Sequence, residues 1–188
     1  MSWMLLLLLQ AAAPAPGGVQ VEDREETYAI SGRSVRELRA QMHALGPVDP
    51  RQGGRASAYT QWHLEENHSL QSGADACRIA NVQVSVKVTI TLPRWIDPER
   101  GSARLQAEWA VFLEHLRSHE QGHRANGLEA ADAVRTLLVA TAAEADCQTL
   151  EAHVDAALKA VVARYKKADV DYDARTRHGR RQGAVLDD

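Results

Sequence analysis

Ser102 to His123 reads SARLQAEWAVFLEHLRSHEQGH, and its spacing decides how the rest of the chain must be arranged. Leu105, Trp109, Phe112, Leu113 and Leu116 recur at intervals of three and four, the apolar stripe of a helix packed on a core. Carried forward, the stripe lands on His119, Glu120 and His123. Residues four apart are neighbours on one helix face, so the two histidines can turn imidazole nitrogens toward a single tetrahedral zinc ion at about 2.0 to 2.1 Å. Glu120, one step round, stands beside such an ion without ligating it. There it can take a proton from metal-acidified water and return it to a leaving amine. Gly122, inside the motif, gives up about 1 kcal/mol of helix propensity, which is expected if something packs close to the backbone at that point. The pattern points to a zinc-dependent hydrolase, and supplies two ligands and a base but no third ligand.

Outward from this segment, the helical pattern resumes beyond Gly127 through Ala130, Val134, Leu137 and Leu138. A further helix is expected from about Glu144, burying Cys147, Leu150, Val154, Leu158, Val161 and Tyr165. Ala168 to Asp188 reads as a polar segment that would pass for a disordered tail but for Tyr172-Asp173 and Thr176-Arg-His-Gly179. Toward the N-terminus, Pro93 to Gly101 breaks a strand over Cys77–Leu92, in which Val82, Val84, Val86, Val88, Ile90 and Leu92 alternate with polar residues. Ala58–Leu64 and Glu26–Ile30 read as shorter strands, Asn67–Asp75 as a turn and Asp49–Gly54 as a loop. Between the first two strands lies a short helix carrying Val35, Leu38, Met42 and Leu45, with Ser34 as N-cap, Glu37 completing a capping box, and Gly46-Pro47 as the stop. The expected fold is α+β, with a small antiparallel sheet packed on two long C-terminal helices. The strand ending near Leu92 is a candidate edge for an extended peptide.

At 188 residues and 45% hydrophobic side chains, the chain suits one domain with a sizeable core. A net charge of -3 and a pI near 6.2 argue against nucleic acid as a partner, which would call for a basic surface. The basic cluster Arg175, Arg177, Arg180 and Arg181 reads as a solvated tail. Trp3–Leu9 is an unbroken apolar run followed by small residues and Pro14-Ala-Pro-Gly-Gly18, so residues 1–18 are expected to be a signal peptide and linker. Seven apolar residues fall short of the roughly 20 needed to span a bilayer, and no later stretch is both long and charge-free. The mature protein is therefore expected to be exported, periplasmic or extracellular. The two cysteines, Cys77 and Cys147, are expected to form one disulfide in such a compartment.

These residues also carry a resemblance. The chain resembles a family of bacterial predicted secreted zinc-dependent proteases, held mainly as a domain of unknown function. The likeness runs through Tyr28-Ala-Ile-Ser-Gly32, Gly46-Pro47, the strand with Trp62, Cys77-Arg-Ile79, Leu92-Pro-Arg-Trp95 and Trp109. It continues through His119-Glu-Gln-Gly-His123, Cys147, Tyr172-Asp-Ala-Arg-Thr-Arg-His-Gly179 and Gln182-Gly183. It implies one zincin-like metallopeptidase domain over residues 19–188, acting on a peptide or protein substrate, and His178 as the third zinc ligand. Glu129, six residues after His123, and Glu144, on the next helix, are rivals for that position, though neither has the surroundings such ligands usually have. Tyr172 is a candidate to steady the oxyanion, and Asp173 to orient a ligand histidine.

His115, four residues before His119, is two turns from His123, roughly 12 Å along the axis, and cannot share one ion with it. It is read as a packing or rim residue, while His43, His63, His68 and His153 have no ligand-like spacing. The reading from another class is a catalytically silent zinc-binding module of the cell envelope, with a structural or binding role.

Overall fold

The computed structural model describes residues 17–50 and 53–187, so all of the expected signal peptide except Gly17 and Gly18 lies outside the described residues. β1 (Gln20–Ile30), α1 (Val35–Leu45), a two-residue hairpin of β2 (Val48–Asp49) and β3 (Gly54–Arg55), β4 (Tyr59–Ser72), β5 (Cys77–Trp95), α2 (Ala103–Ala140) and α3 (Cys147–Thr176) follow in order. Together they make an α+β structure in which the sheet packs on the two long C-terminal helices.

The sheet is mixed, which corrects the expected antiparallel arrangement. Its order is β1-β5-β4, with β4 antiparallel to β5 from Tyr59↔Thr91 to Ser72↔Cys77 and β1 parallel to β5 from Gln20↔Ser85 to Ile30↔Trp95. Parallel neighbours need a long crossover, and α1, the hairpin and β4 together provide it. β1 also starts six residues earlier than its apolar content suggests. Its charged run Glu22–Glu26 suits an edge strand, where charge discourages pairing with other chains. Two of those acids reach α2 instead: Asp23 accepts two bonds of 2.8 Å from Arg124, and Glu25 accepts bonds of 2.9 and 3.2 Å from Arg117.

β5 is the middle strand, and its alternating Val84, Val86, Val88, Ile90 and Leu92 are all buried. The strand continues through Pro93 to Trp95 rather than stopping there. Pro93 lies past the last β4 partner, Thr91, so no antiparallel neighbour requires the N–H that proline lacks. The expected turn at Asn67–Asp75 is shorter too: β4 runs to Ser72 after a bulge between Asn67 and Ser69, and Gly73 N–H donates to the Ala76 carbonyl at 2.8 Å to close the hairpin.

α1 begins as expected, with Ser34 Oγ accepting from Glu37 N–H, while the Glu37 carboxylate reaches back to Arg33 N–H at 2.8 Å. α2 is one uninterrupted helix of 38 residues, capped by Ser102. Gly127 lies within it because Trp62 packs there: a Cβ at that position would come within 2.7 Å of the indole. α3 runs back along α2, its Asp169 and Asp173 meeting His123 and His119. The segment expected as a tail is structured: α3 extends to Thr176, and Ala184 and Leu186 beyond it are buried.

Cys77 and Cys147 form a disulfide with Cα atoms 5.1 Å apart, joining the start of β5 to the start of α3. Backbone bonds of 2.8 and 3.0 Å between Cys77 and Glu144 reinforce the junction. The bond fits an oxidising compartment, and no described helix is long and apolar enough to cross a membrane. The cysteines are separated by 70 positions, so chain-entropy arguments give the bridge about 4 kcal/mol. The Cys77→Ser/Cys147→Ser variant should lose an amount of that order in urea unfolding, and reductant should reproduce the loss in the wild type.

Candidate metal centre

The apolar stripe of α2 passes into a polar one without leaving the interior. Leu105, Trp109, Phe112 and Leu116 are buried, and His119, Glu120 and His123 follow at 3%, 4% and 2% exposure. The imidazole centroids are 5.0 Å apart. Nε2 of His119 and Nε2 of His123 both face Oδ1 of Asp173, at 3.2 and 3.0 Å. Ligand-capable atoms of His119, His123 and Asp173 all lie within 4.8 Å of one another, and the three could hold a metal ion.

The other nitrogen of each ring is also held. His119 Nδ1 lies 2.9 Å from Gln182 Oε1, and His123 Nδ1 lies 3.0 Å from Asp169 Oδ1. Asp169 further accepts from Trp62 Nε1 at 2.7 Å and Asn126 Nδ2 at 2.8 Å, so β4, α2 and α3 fix its carboxylate. Were Nδ1–H donated to oxygen in both rings, each Nε2 lone pair would be left facing a carboxylate oxygen, as a metal ligand requires. In that tautomer three electron-pair donors converge, and only a cation or a proton among them offsets their repulsion. Burial opposes charge on His123, but hydrogen bonds with Asp169 and Asp173 outweigh it and raise the imidazole to about 9. For Asp169, burial is likewise outweighed, by hydrogen bonds from His123, Asn126 and Trp62, and its carboxyl is held below the usual range.

Glu120 turns its carboxylate to the sheet side, where Oε2 accepts from Thr60 Oγ1 at 2.7 Å. Burial pushes its carboxyl up from the ordinary value, against the lowering effects of the Thr60 bond and the nearby histidines. The group therefore keeps its proton to higher pH than a solvated carboxylate would.

His178 stands at the rim, with a side chain 57% exposed and Nδ1 3.4 Å from the same Asp173 oxygen. It is carried there by a sharp reversal in which Arg177, His178 and Gly179 all have positive φ, 52°, 51° and 77°. The reversal folds the C-terminal segment onto α2: a Cβ on Gly179 would lie 3.0 Å from the His119 ring, and one on Gly183 would lie 3.0 Å from His115. His115 is thus a packing residue, as its spacing suggests. Glu129 lies on the exposed face of α2, and the Glu144 carboxylate pairs with His153, so neither rival ligand joins the cluster. His43 and His63 are exposed, and His68 pairs with Glu66.

Tyr172 is the group that packs against Gly122. Its ring stacks on His119 with centroids 5.0 Å apart and planes 9° from parallel, and its hydroxyl accepts from Gln182 Nε2 at 3.0 Å. That places the hydroxyl with the residue that holds His119 Nδ1. Thr60, Asn126 and Asp169 escaped sequence reasoning, and Trp62 and Gln182 entered it only as carriers of the resemblance, without a role at the site. For Asp169 a signal was present: Asp169, Asp173 and Thr176 continue the stripe of Leu158, Val161 and Tyr165 at helical spacing, as the histidines continue that of α2.

A Cβ on Gly122 would stand 2.3 Å from Tyr172 Cζ and Oη. Gly122→Ala should gain about 1 kcal/mol of helix propensity but lose more through displacement of a packed ring, about 1 to 3 kcal/mol. Net destabilisation in urea unfolding and weakened metal binding are expected. A more stable variant with unchanged metal affinity would contradict this packing.

No curated protein and no solved structure matches the chain at a significant level. Residues 25–179, the greater part of the chain, match the profile of the family described as "Bacterial protein of unknown function (DUF922)", and the chain belongs to that family.

Proposed function

We propose that the protein is an exported zinc-dependent peptidase. The observation that carries this reading is the convergence of His119 Nε2, His123 Nε2 and Asp173 Oδ1, each second nitrogen of the histidines already being engaged. Two neutral imidazoles and a carboxylate form a donor set suited to zinc, with room for a further ligand. His119, His123 and Asp173 would hold the ion, with His178 beside Asp173 at the rim. Zinc in such a site supplies Lewis acidity, acidifying water and polarising a carbonyl.

The remaining work falls to the chain's own groups. Glu120 removes a proton from the attacking water and delivers it to the departing amine, and its raised pKa suits both halves of that task. Thr60 orients the Glu120 carboxylate. Tyr172, Gln182 and Asp169 hold the two rings in place. A cleft of about 340 Å³, lined in part by Ala58, Tyr59, Glu120, His178 and Arg180, gives access. β5 is flanked on both sides over Ser85–Thr91, so the free edge beside the site belongs to β4 rather than to the strand ending near Leu92. A groove along Tyr59–Leu64 follows that edge, and an extended peptide can add to it through backbone hydrogen bonds.

Metal analysis of the purified chain should find one zinc per molecule, lost in His119→Ala and His123→Ala. Asp173→Ala should weaken zinc more than His178→Ala, and the reverse order would move the third ligand to His178. Glu120→Gln should retain zinc while cleaving a casein substrate at least about 100-fold more slowly. Absence of stoichiometric zinc would refute the proposal. A wild type that binds zinc tightly and cleaves nothing would favour a structural or binding module instead.

The Thr60 hydroxyl lowers the Glu120 pKa, so Thr60→Val should raise it. Because the base acts deprotonated, the acid limb of the kcat/KM profile should move to higher pH in that variant, with the basic limb unchanged.

A further inference from the structure

The cleft over the metal-ligating cluster does not end there. Arg55, Ala56, Ser57, Phe112, Arg180 and Ala184 line both this cleft and a second cavity of about 400 Å³, so the two meet along a shared wall. The second cavity extends to Arg39, His43 and Asp187.

Charge on the shared wall is one-sided. The chain carries a net -3, yet the charged side chains of the shared wall are Arg55 and Arg180, both exposed. The acids lining the inner cleft, Asp49, Glu120 and Asp173, are buried. Arg180 makes no ion pair among the described residues. Arg55 commits one guanidinium nitrogen to the Gly46 carbonyl at 2.5 Å, with no carboxylate partner among the described residues. In the outer cavity Asp187 stands 4.0 Å from Arg39, both side chains more than half exposed, which is too loose and too solvated to neutralise much. Each of these two arginines, without a carboxylate partner among the described residues, can receive carboxylate oxygens at the wall of the cleft.

We infer that this wall selects the substrate: the cleft takes peptides that carry a carboxylate near the bond to be cut, received by Arg55 and Arg180. The inference rests on the peptidase reading and names its substrate class. The carboxylate can belong to an Asp or Glu side chain or to a free peptide C-terminus.

The test is fluorescence anisotropy with the zinc-loaded Glu120→Gln full chain, which binds without turning over. Three labelled hexapeptides serve as probes: one with internal Glu and an amidated end, its Gln counterpart, and the Gln peptide with a free C-terminal carboxylate. At least one carboxylate peptide should bind about fivefold more tightly than the neutral peptide at low salt, and which of the two does so identifies the source. The preference should vanish in Arg55→Gln/Arg180→Gln, with neutral-peptide affinity changed less than twofold, and should shrink at about 0.5 M salt. Equal binding of all three peptides, or a preference that survives the double substitution, overturns the inference. Cleavage of all three by the wild type without discrimination also overturns it while the peptidase reading stands. Discrimination in binding with no cleavage by zinc-loaded wild type upholds the basic wall and removes the peptidase step.

Discussion

Oδ1 of Asp173 lies 3.2 Å from Nε2 of His119, 3.0 Å from Nε2 of His123 and 3.4 Å from Nδ1 of His178, and much of the C-terminal half is arranged around that meeting point. Removing ionisable groups from water costs several kcal/mol each unless partners compensate. The compensation here is layered. Asp169 is held by Trp62, Asn126 and His123, and Gln182 reaches both His119 and Tyr172. No buried side-chain polar atom among the described residues is left without a partner. A network satisfied to this degree orients its members far more narrowly than apolar packing does.

Backbone choices follow from it. α2 accepts two glycines mid-helix, each where an aromatic ring must lie against the backbone: Tyr172 at Gly122 and Trp62 at Gly127. Each ring then touches the network directly, Tyr172 by stacking on His119 and Trp62 through its indole N–H to Asp169. The lost helix propensity, about 1 kcal/mol per glycine, is the cost of close approach. Likewise the left-handed turn at Arg177–Gly179 brings Gln182 and His178 back over α2, a path that a continued helix could not take.

What could be read from the sequence was what hydrophobic spacing and local capping determine. The α2 stripe, its passage into His119, Glu120 and His123, the α1 caps and the β5 alternation are all statements about nearby residues. Pairing order is not such a statement, and the first half of β1 escaped because its charged run Glu22–Glu26 hides a strand whose partners lie on β5 and α2. The end of α3 escaped for a related reason. Periodicity counts apolar residues, whereas Asp169, Asp173 and Thr176 are buried polar residues whose partners are supplied by other elements. The same polar character that made residues 168–188 resemble a solvated tail is what the interior requires of them.

α3 is fastened at two places by different physics. Cys147 ties its start to β5, and Asp169, Tyr172 and Asp173 tie its far end to the histidines. From Cys147 to Asp173 the helix rises about 39 Å, and between them Leu158, Val161 and Tyr165 are only half-buried. A covalent link so far away cannot set the position of a carboxylate oxygen to a fraction of an ångström. It acts by restricting the unfolded chain. The precision of the cluster must therefore come from the contacts that surround it, Tyr172 on Gly122 and the returning turn at Gly179 foremost. Stability and site geometry are thereby separable in this fold: loss of the bridge weakens the whole, whereas loss of the ring against Gly122 loosens the site first.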